Sequence, residues 1–394
     1  MNIARLLLLL LLTPAVVTAQ TPVSQLPEFA SELVFPLHPQ HNHAPGIAEL
    51  KNGDLVVSWY RGSGERSADD VAVWGARLKK GSTSWSEAFL MHDTPGFPDC
   101  NTALMTNSQG HLFLFWPVVI ANSWESCVTH AKISRIPTND GPIVWDSDQT
   151  LLLKPDDFST AAIAALDQQV AALPALPESS QKSISEAREK LSQKLYQRLG
   201  WQPRCKPTTL PSGRILLPLY TDTFSLSIMA ISDDGGLSWF AGKPLLGFGA
   251  IQPAVLRRNN GTLVAYMREN GFTQRIRVAE STDEGVSWGP VYSSELANPG
   301  SGLDGVRLQN GHWALVYNDT TSGRNRLAIS LSTDEGITWS ATRHLEDQPA
   351  GSYHYPCVIQ SADSRIHVVY SYFTDTGKSM KHAAFSEEWI TEQK

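Results

Sequence analysis

The sequence predicts an all-β protein, a six-bladed β-propeller with a helical insertion between its second and third blades. Three observations support this fold class. An octet of the form Ser-x-Asp-x-Gly-x-x-Trp occurs at Ser232–Trp239, Ser281–Trp288 and Ser332–Trp339, with starts 49 and 51 residues apart. A repeat of that length marks stacked supersecondary units. Six β-rich hairpins also follow one another along the chain, and a single Ala- and Gln-rich segment interrupts them.

The octet has the chemistry of a tight turn. Ser and Asp side chains hydrogen-bond nearby backbone amides, and Gly adopts the positive φ that other residues avoid. The Trp that ends each octet is expected to fold back against the neighbouring hairpin. Such turns stabilise a fold, and they carry no chemistry of their own.

The N-terminus is predicted to be a secretory signal peptide, residues 1–19. Arg5 is its basic residue, Leu6–Leu12 is its apolar run, and Val17–Ala19 is a small-residue cleavage site. The apolar run is too short to span a bilayer. We therefore expect cleavage near Ala19, a secreted or periplasmic protein with no membrane span, and a propeller formed by residues 20–394.

The mature chain opens with Ser31–Leu37, which we expect to close the ring by pairing with the last blade. Each blade then begins with a polar segment, an apolar strand, a turn and a second apolar strand. The second strands of the six hairpins are Leu55–Arg61, Leu112–Trp116, Ile215–Leu217, Leu263–Arg268, Trp313–Asn318 and Ile366–Tyr370. Four strands per unit give six blades.

Residues 156–200 interrupt this pattern. Ile184, Ala187, Leu191 and Leu195 lie at helical spacing, and Gly200 is a natural helix C-cap. We predict a helical hairpin packed on the side of the propeller, with gating of a substrate as the alternative role.

Composition limits the function. The net charge is −7, and charged residues make up 18% of the chain, so we expect no nucleic-acid partner. No motif indicates a metal site, a phosphate loop or another cofactor. The chain has 4 cysteines, and export permits disulfides. A Cys100–Cys127 disulfide is the favoured pairing, and buried free thiols are the alternative.

The hairpin pattern predicts a functional site at one rim. In every blade the start of the first strand and the end of the second strand lie at the same rim, and polar side chains occupy those positions. The residues expected there are His41, His43, Arg61, Glu65, Asp69, Asp70, Asp99, Asn101, Arg204, Lys206, Tyr220, Asp222, Gln252, Arg268, Glu269, Ser301, Asp304, Asn318, Asp319, Tyr353, His354, Tyr355 and Tyr370. Arginine forks in such a ring suit an anionic or polyhydroxylated ligand.

The three octets, the six-blade count and the signal peptide together resemble the sialidase (neuraminidase) superfamily, in particular its bacterial sialidase-like branch with Asp-box or BNR repeats. Gln252–Val255, Asn298–Gly302 and Trp313–Asp319 also resemble segments of that branch. The likeness covers most of the mature chain outside the helical insertion. It implies a glycan substrate.

The resemblance also implies roles for individual residues. Such sialidases use a Tyr nucleophile paired with a Glu, an Asp general acid and base, and three Arg that bind the substrate carboxylate. Tyr355 matches the nucleophile, Asp70 or Asp69 the acid and base, and Arg268 the second Arg. The third Arg is Arg324 or Arg326. The remaining rim residues expected to contact substrate are Arg61, Asn101, Arg204, Asp304 and Asn318.

Two positions depart from the family pattern. His43 stands where the family has the first Arg, and Gln252 stands where it has the Glu that activates Tyr. A neutral amide cannot accept the phenol proton as a base. Glu269, Asp304 and His354 are candidate replacements for that base.

Three functions follow from the sequence. The first is an exo-acting glycoside hydrolase for acidic sugars, sialic acid or similar. The second is a glycosidase or lyase for uronic-acid glycans, in which His43 or His354 and Tyr355 serve as acid and base. The third is a non-catalytic glycan-binding propeller, in which the side chains of Trp59, Tyr60, Trp116 and Tyr370 stack on sugar faces.

Overall fold

Six antiparallel sheets form the blades of the propeller. The structure is a computed structural model, and it describes residues 28–137, 141–172 and 177–392. The predicted signal peptide, residues 1–19, lies outside these ranges. The described strands are β1 (Phe29–Leu33), β2 (His41–Glu49), β3 (Leu55–Gly62), β4 (Ala72–Leu78), β5 (Phe89–His92), β6 (Ala103–Thr106), β7 (Leu112–Val119), β8 (Cys127–Ser134), β9 (Ser147–Thr150), β10 (Gln202–Pro203), β11 (Thr208–Thr209), β12 (Ile215–Thr221), β13 (Leu226–Ser232), β14 (Phe240–Ala241), β15 (Ala250–Arg257), β16 (Leu263–Glu269), β17 (Arg275–Ser281), β18 (Tyr292–Ala297), β19 (Asp304–Arg307), β20 (Trp313–Tyr317), β21 (Arg326–Ser332), β22 (Ala341–Asp347), β23 (Ser352–Gln360), β24 (Ile366–Thr374) and β25 (Gly377–Phe385).

The sheets follow the chain in order, as the hairpin count predicted. Blades one to five are β2–β5, β6–β9, β10–β14, β15–β18 and β19–β22. In blade three the inner strand is split, because β10 and β11 both pair with β12. The last sheet has the order β1-β25-β24-β23. The six-bladed propeller is therefore confirmed.

The N-terminal strand closes the ring. β1 pairs with β25 in antiparallel register, with Phe29 opposite Phe385, and Val34 N–H then donates to the Met380 carbonyl at 2.8 Å. Closure by the N-terminal segment was predicted, although the strand lies at Phe29–Leu33 rather than Ser31–Leu37. The first and last parts of the chain therefore share one blade.

The octets join the third and fourth strands of blades three to five, so they lie at the rim opposite the predicted site. In the second octet the Ser281 hydroxyl donates to Asp283 at 2.8 Å, and Asp283 accepts the Ser287 N–H at 2.9 Å. Gly285 has a φ of +83°, and a methyl group there would lie 2.8 Å from the side chain of Leu216 in the preceding blade. The octets therefore fasten each of these blades to its predecessor.

The insertion is helical, as predicted. Its helices are α1 (Phe158–Ala171), α2 (Glu178–Ser192) and α3 (Lys194–Arg198), and a short α4 (Glu387–Thr391) follows the last strand. Phe158 and Leu191 are buried in one apolar cluster with Phe115 of blade two and Leu226 of blade three. The insertion therefore covers the side of these two blades.

The four cysteines are buried free thiols, so the favoured Cys100–Cys127 disulfide is absent. Both of these thiols lie in an apolar cluster with Ala44 and Tyr60. Burial raises the pKa of the Cys205 thiol to about 12, which keeps it protonated and unreactive.

Two negative findings apply to the described residues. No helix among them is long and apolar enough to cross a bilayer. Within the same ranges, no cluster of three or more His, Cys, Asp or Glu side chains has the arrangement of a metal site.

Candidate active site

A repeated backbone irregularity presents the central side chains. Ala44, Gln252 and Tyr355 have φ values of 53°, 59° and 49°, and each directly precedes a proline. The ladder between the first and second strands skips these positions in all three blades. Proline has no N–H to donate, so the bulge costs no ladder bond at that residue. Left-handed backbone at a non-glycine residue is strained and concentrates at functional sites.

Tyr355 lies at the centre of the cluster, and two donors face its hydroxyl oxygen. Arg268 Nη1 donates to that oxygen at 3.0 Å, and Gln252 Nε2 donates to it at 3.2 Å. A methyl group at Gly302 would lie 2.8 Å from Tyr355 Cδ1 and 2.9 Å from Gln252 Oε1. Only a glycine lets the two side chains approach this way. Two N–H donors on one phenol oxygen favour the negatively charged state of that oxygen.

Arg324 joins the cluster from the loop before β21. Its Nη2 donates to the Gly300 carbonyl at 3.0 Å, and its Cζ lies 5.9 Å from the Tyr355 ring centroid. Its Nη1 lies 2.6 Å from His354 Nδ1. Since a guanidinium only donates, His354 must accept at Nδ1 and carry its proton on Nε2, which lies 2.7 Å from the Ser352 hydroxyl.

Both central histidines are neutral near pH 7. Burial and then the Arg324 charge lower the pKa of His354 to about 3. Burial, followed by His354, lowers the pKa of His43 well below its usual value. The His43 ring stacks on the Tyr355 ring at 4.5 Å, and its Nδ1 lies 2.8 Å from the Ser371 hydroxyl. A neutral ring therefore stacks on Tyr355 at the position where the family resemblance predicted a departure from arginine.

Two carboxylates border the cluster from blades one and three. The Tyr60 hydroxyl donates to Glu65 at 2.6 Å. Asp222 accepts from Gln202 Nε2 at 3.0 Å, and Asn101 Nδ2 donates to Gln202 at 2.8 Å. Asn101 thus acts on the site through Gln202.

The environment of Asp222 perturbs its pKa. Burial raises the pKa of Asp222, although the neighbouring Arg268 opposes the shift and Glu65 adds to it. Both carboxylates were among the predicted rim residues, but the family pattern gave them no role. Glu65 and Asp222 are far from Tyr355 in the sequence. The sequence therefore did not show that these two carboxylates lie near the arginines that contact Tyr355.

Asp69 and Asp70, the predicted acid and base, make other contacts. Asp70 accepts the Ser63 N–H at 3.0 Å and the Ser63 hydroxyl at 2.8 Å. Asp69 accepts from Asn122 at 2.8 Å. Both are exposed in the loop after β3, where Asp70 contacts Ser63 and Asp69 contacts Asn122.

The other predicted arginines differ in their placement. Arg61 Nε donates to Asn42 at 2.7 Å, and its guanidinium packs against Phe35, 4.7 Å from the ring centroid. Arg326 forms a half-exposed ion pair with Asp347 at 3.1 Å. These contacts engage both guanidinium groups outside the Tyr355 cluster.

Two further predicted contacts support the backbone around the site. Asn318 Nδ2 donates to the carbonyls of Arg326 at 2.7 Å and Tyr353 at 3.1 Å. Asp304 pairs with Lys206 at 2.7 Å and accepts the Val358 N–H at 2.9 Å.

The candidate replacement bases are likewise engaged. Glu269 accepts from Gly271 N–H and from the Thr273 hydroxyl, and it pairs with Arg277 at 3.3 Å. Asp304 is held by Lys206, and His354 by Arg324. None of the three makes a described hydrogen bond to the Tyr355 oxygen, so the phenol is approached by donors.

Comparisons with known proteins agree with this architecture. Residues 183–368 match the family model of the BNR repeat-like domain. A sialidase of Micromonospora viridifaciens is 26% identical over 174 residues, which cover 42% of this chain and 26% of that protein. The match therefore spans about a quarter of that relative's length.

Solved structures share the fold across nearly the whole chain. A Dyadobacter fermentans protein of unknown function superposes with a TM-score of 0.67 at 15% identity, covering 91% of this chain and 99% of that one. The intramolecular trans-sialidase of Ruminococcus gnavus gives a TM-score of 0.67 at 13% identity, with 90% and 96% covered. The chain therefore shares the propeller fold of these solved structures, and residues 183–368 are similar to the BNR repeat-like domain.

Proposed function

We propose that the protein is a glycoside hydrolase that removes a terminal acidic sugar, sialic acid or a similar one, from glycans, with Tyr355 as nucleophile. One observation carries the proposal: Arg268 and Gln252 both donate to the Tyr355 hydroxyl oxygen. A carboxylate next to the anomeric carbon would repel an anionic Asp or Glu nucleophile, and a tyrosine approached by cations avoids this repulsion. The relatives named as sialidases support the same reading.

The chemistry needs two displacements at the anomeric carbon. The phenol proton first leaves to solvent, since Gln252 cannot accept it. The Tyr355 oxygen then forms a bond to the anomeric carbon, and the bond to the leaving-group oxygen breaks, with its electron pair staying on that oxygen. A general acid protonates the leaving oxygen. A water molecule, deprotonated by the same residue, then attacks the anomeric carbon and releases Tyr355.

We propose Asp222 for the acid role. A general acid that works near neutral pH needs a raised pKa, and burial raises the pKa of Asp222. Asp70 and Asp69 stay the alternatives that the family pattern predicts. The contacts of Asp70 with Ser63 and of Asp69 with Asn122 would have to break before either carboxylate could reach a substrate.

Arg268 and Arg324 are proposed to bind the substrate carboxylate. The two guanidinium groups approach Tyr355 from blades four and five, and arginine forks match carboxylate geometry. Neutral His43 adds no third charge. That difference favours a second candidate substrate, a uronic acid, whose carboxylate lies farther from the anomeric carbon. On the strength of the predicted signal peptide we propose that the protein acts outside the cytoplasm.

Turnover of fluorogenic sialosides and uronides tests the proposal. We expect hydrolysis of one of the two by the wild-type protein, and a loss of at least ~10³-fold in kcat for Tyr355→Phe. Asp222→Asn should lose most activity towards poor leaving groups and less towards good ones. Arg326→Gln is the control, because its ion pair with Asp347 lies outside the cluster.

Trapping separates the enzyme from a glycan-binding propeller. A fluorinated sugar that accumulates the covalent intermediate should add its mass to the peptide that contains Tyr355. Binding without turnover, equal in wild type and Tyr355→Phe, would instead establish the non-catalytic alternative. Unsaturated sugar products would indicate a lyase.

A further inference from the structure

Arg204 is a buried cation next to Tyr355. It follows β10, and only 1% of its surface is exposed. Its Nη2 donates at 2.5 Å to the carbonyl of Pro356, the residue directly after Tyr355. Its Cζ lies 4.8 Å from the Tyr355 ring centroid. The sequence predicted a substrate contact here, but burial places the guanidinium against the phenol ring.

The charge of Arg204 is poorly compensated in the resting site. Its Nε and Nη1 are buried without a hydrogen-bond partner. Within the described ranges no carboxylate lies close enough to form an ion pair with it. An arginine stays protonated in proteins, and a buried charge without a partner is costly. The π face of Tyr355 offsets part of that cost.

A negative charge on Tyr355 would offset more of the cost of burying the Arg204 charge. The charge of a phenolate is delocalised into its ring, so a cation over the ring is attracted more strongly to the phenolate than to the phenol. Arg268 and Gln252 already donate to the oxygen itself. The three groups act on one state of Tyr355 from two directions, the oxygen and the ring.

We propose that Arg204 is a positioning residue that holds the Tyr355 ring through Pro356 and stabilises the phenolate form of Tyr355. It would thereby supply part of the activation that a Glu at the position of Gln252 would give. The step is a simple ionisation: the O–H bond breaks, the electron pair stays on oxygen, and the proton passes to a base in solvent. The catalytic importance of this state rests on the proposed function, but the state itself needs no substrate.

Tyrosine absorbance near 295 nm tests the proposal without an activity assay. Spectra are recorded against pH for each protein with Tyr355 and for the same protein carrying Tyr355→Phe, and their difference isolates Tyr355. We expect the Tyr355 phenolate to appear at least one pH unit higher in Arg204→Met and Arg204→Gln than in the wild type. Arg204→Lys keeps the charge and should stay near the wild type.

The variants separate charge from folding. Arg204→Gln can still donate to the Pro356 carbonyl, so it keeps the backbone contact if Arg204→Met does not fold. Arg214→Gln is the matched control, because it removes an arginine that pairs with Asp233 in an octet, and it should leave the Tyr355 signal unchanged. The proposal would be overturned if the Tyr355 phenolate appeared at the same pH in Arg204→Met and Arg204→Gln as in the wild type. It would also be overturned if Arg204→Lys raised that pH as far as Arg204→Gln does. Failure of the proposed glycoside hydrolase function would appear only in the turnover assay. Failure of the Arg204 proposal would appear in the absorbance titration, so the two failures can be told apart.

Discussion

Gly302 shows how closely the residues around Tyr355 are fitted. A methyl group there would lie 2.8 Å from Tyr355 Cδ1 and 2.9 Å from Gln252 Oε1, closer than real side-chain carbons approach. Gln252 is 1% exposed, so it has little room to yield. The position of the Tyr355 oxygen relative to Arg268 therefore depends on residue 302 being a glycine.

We predict that Gly302→Ala lowers kcat/KM at least ~10-fold, because a displaced reacting atom loses its alignment. The melting temperature should fall by only a few degrees, since one contact yields rather than the whole blade. Steady-state kinetics and calorimetry measure the two effects. The control is Gly289→Ala, because Gly289, like Gly302, has no positive φ, and a methyl group there would meet only the Glu280 carbonyl at an ordinary 3.5 Å. Equal kinetics for both variants would contradict this account.

At the scale of the element, the octets act as turns with internal hydrogen bonds. Asp283 accepts from the Ser281 hydroxyl, the Ser287 N–H and the Ser287 hydroxyl. Removing that carboxylate leaves these donors without their acceptor. The turn also places Gly285 in contact with Leu216 of blade three. Loss of the Asp283 hydrogen bonds is therefore expected to weaken the packing between these two blades.

We predict that Asp283→Ala lowers the free energy of unfolding by about 1–3 kcal/mol, the net contribution of the hydrogen bonds that its carboxylate accepts. Urea denaturation followed by Trp fluorescence measures this difference. Glu186→Ala on α2 is the control, because that side chain is 61% exposed and its removal should cost less than about 0.5 kcal/mol. Catalysis should not change in either variant. An unchanged unfolding midpoint for Asp283→Ala would show that the octet is not a stabilising turn.

At the scale of the whole molecule, closure of the ring joins β1 to blade six through buried polar groups. His367 Nδ1 lies 3.0 Å from His382 Nε2, and its Nε2 lies 3.0 Å from the Ser361 hydroxyl. His382 in turn lies 3.5 Å from Glu32 of β1. Burial, then the neighbouring His382, lowers the pKa of His367 to about 3 from the usual 6.5. Asp363 opposes this shift, and Arg365 adds to it.

We predict that acid destabilises the closed ring. Between about pH 6.5 and pH 3 the unfolded chain binds a proton at residue 367 that the folded chain excludes, so the free energy of unfolding falls as pH falls. The melting temperature should therefore decline across this window. His367→Gln removes the titrating group and should make the decline shallower. A decline of identical slope in that variant would assign the acid sensitivity to other groups, such as His354.

The repeat, and with it the fold, can be read from the sequence. Octet spacing and hairpin alternation are local patterns, and they predicted six blades, an N-terminal closing strand and a helical insertion, all of which the structure confirms. The same patterns placed polar side chains at one rim. The sequence period predicts the fold because every blade buries its strands in the same way. The same local sequence pattern therefore recurs in each blade.

The division of the rim residues between chemistry and support depends on their contacts in the folded protein. Sequence position could not show that Arg61 packs on Phe35, that Arg204 is buried against Tyr355, or that Asp70 binds Ser63. It also could not show the left-handed backbone at Gln252 and Tyr355, although a polar residue before proline marked both places. The physical reason is that burial and neighbouring charge, rather than residue type, determine what a side chain does. These depend on tertiary contacts such as the one between Arg204 and Pro356, which lie 152 residues apart in the chain.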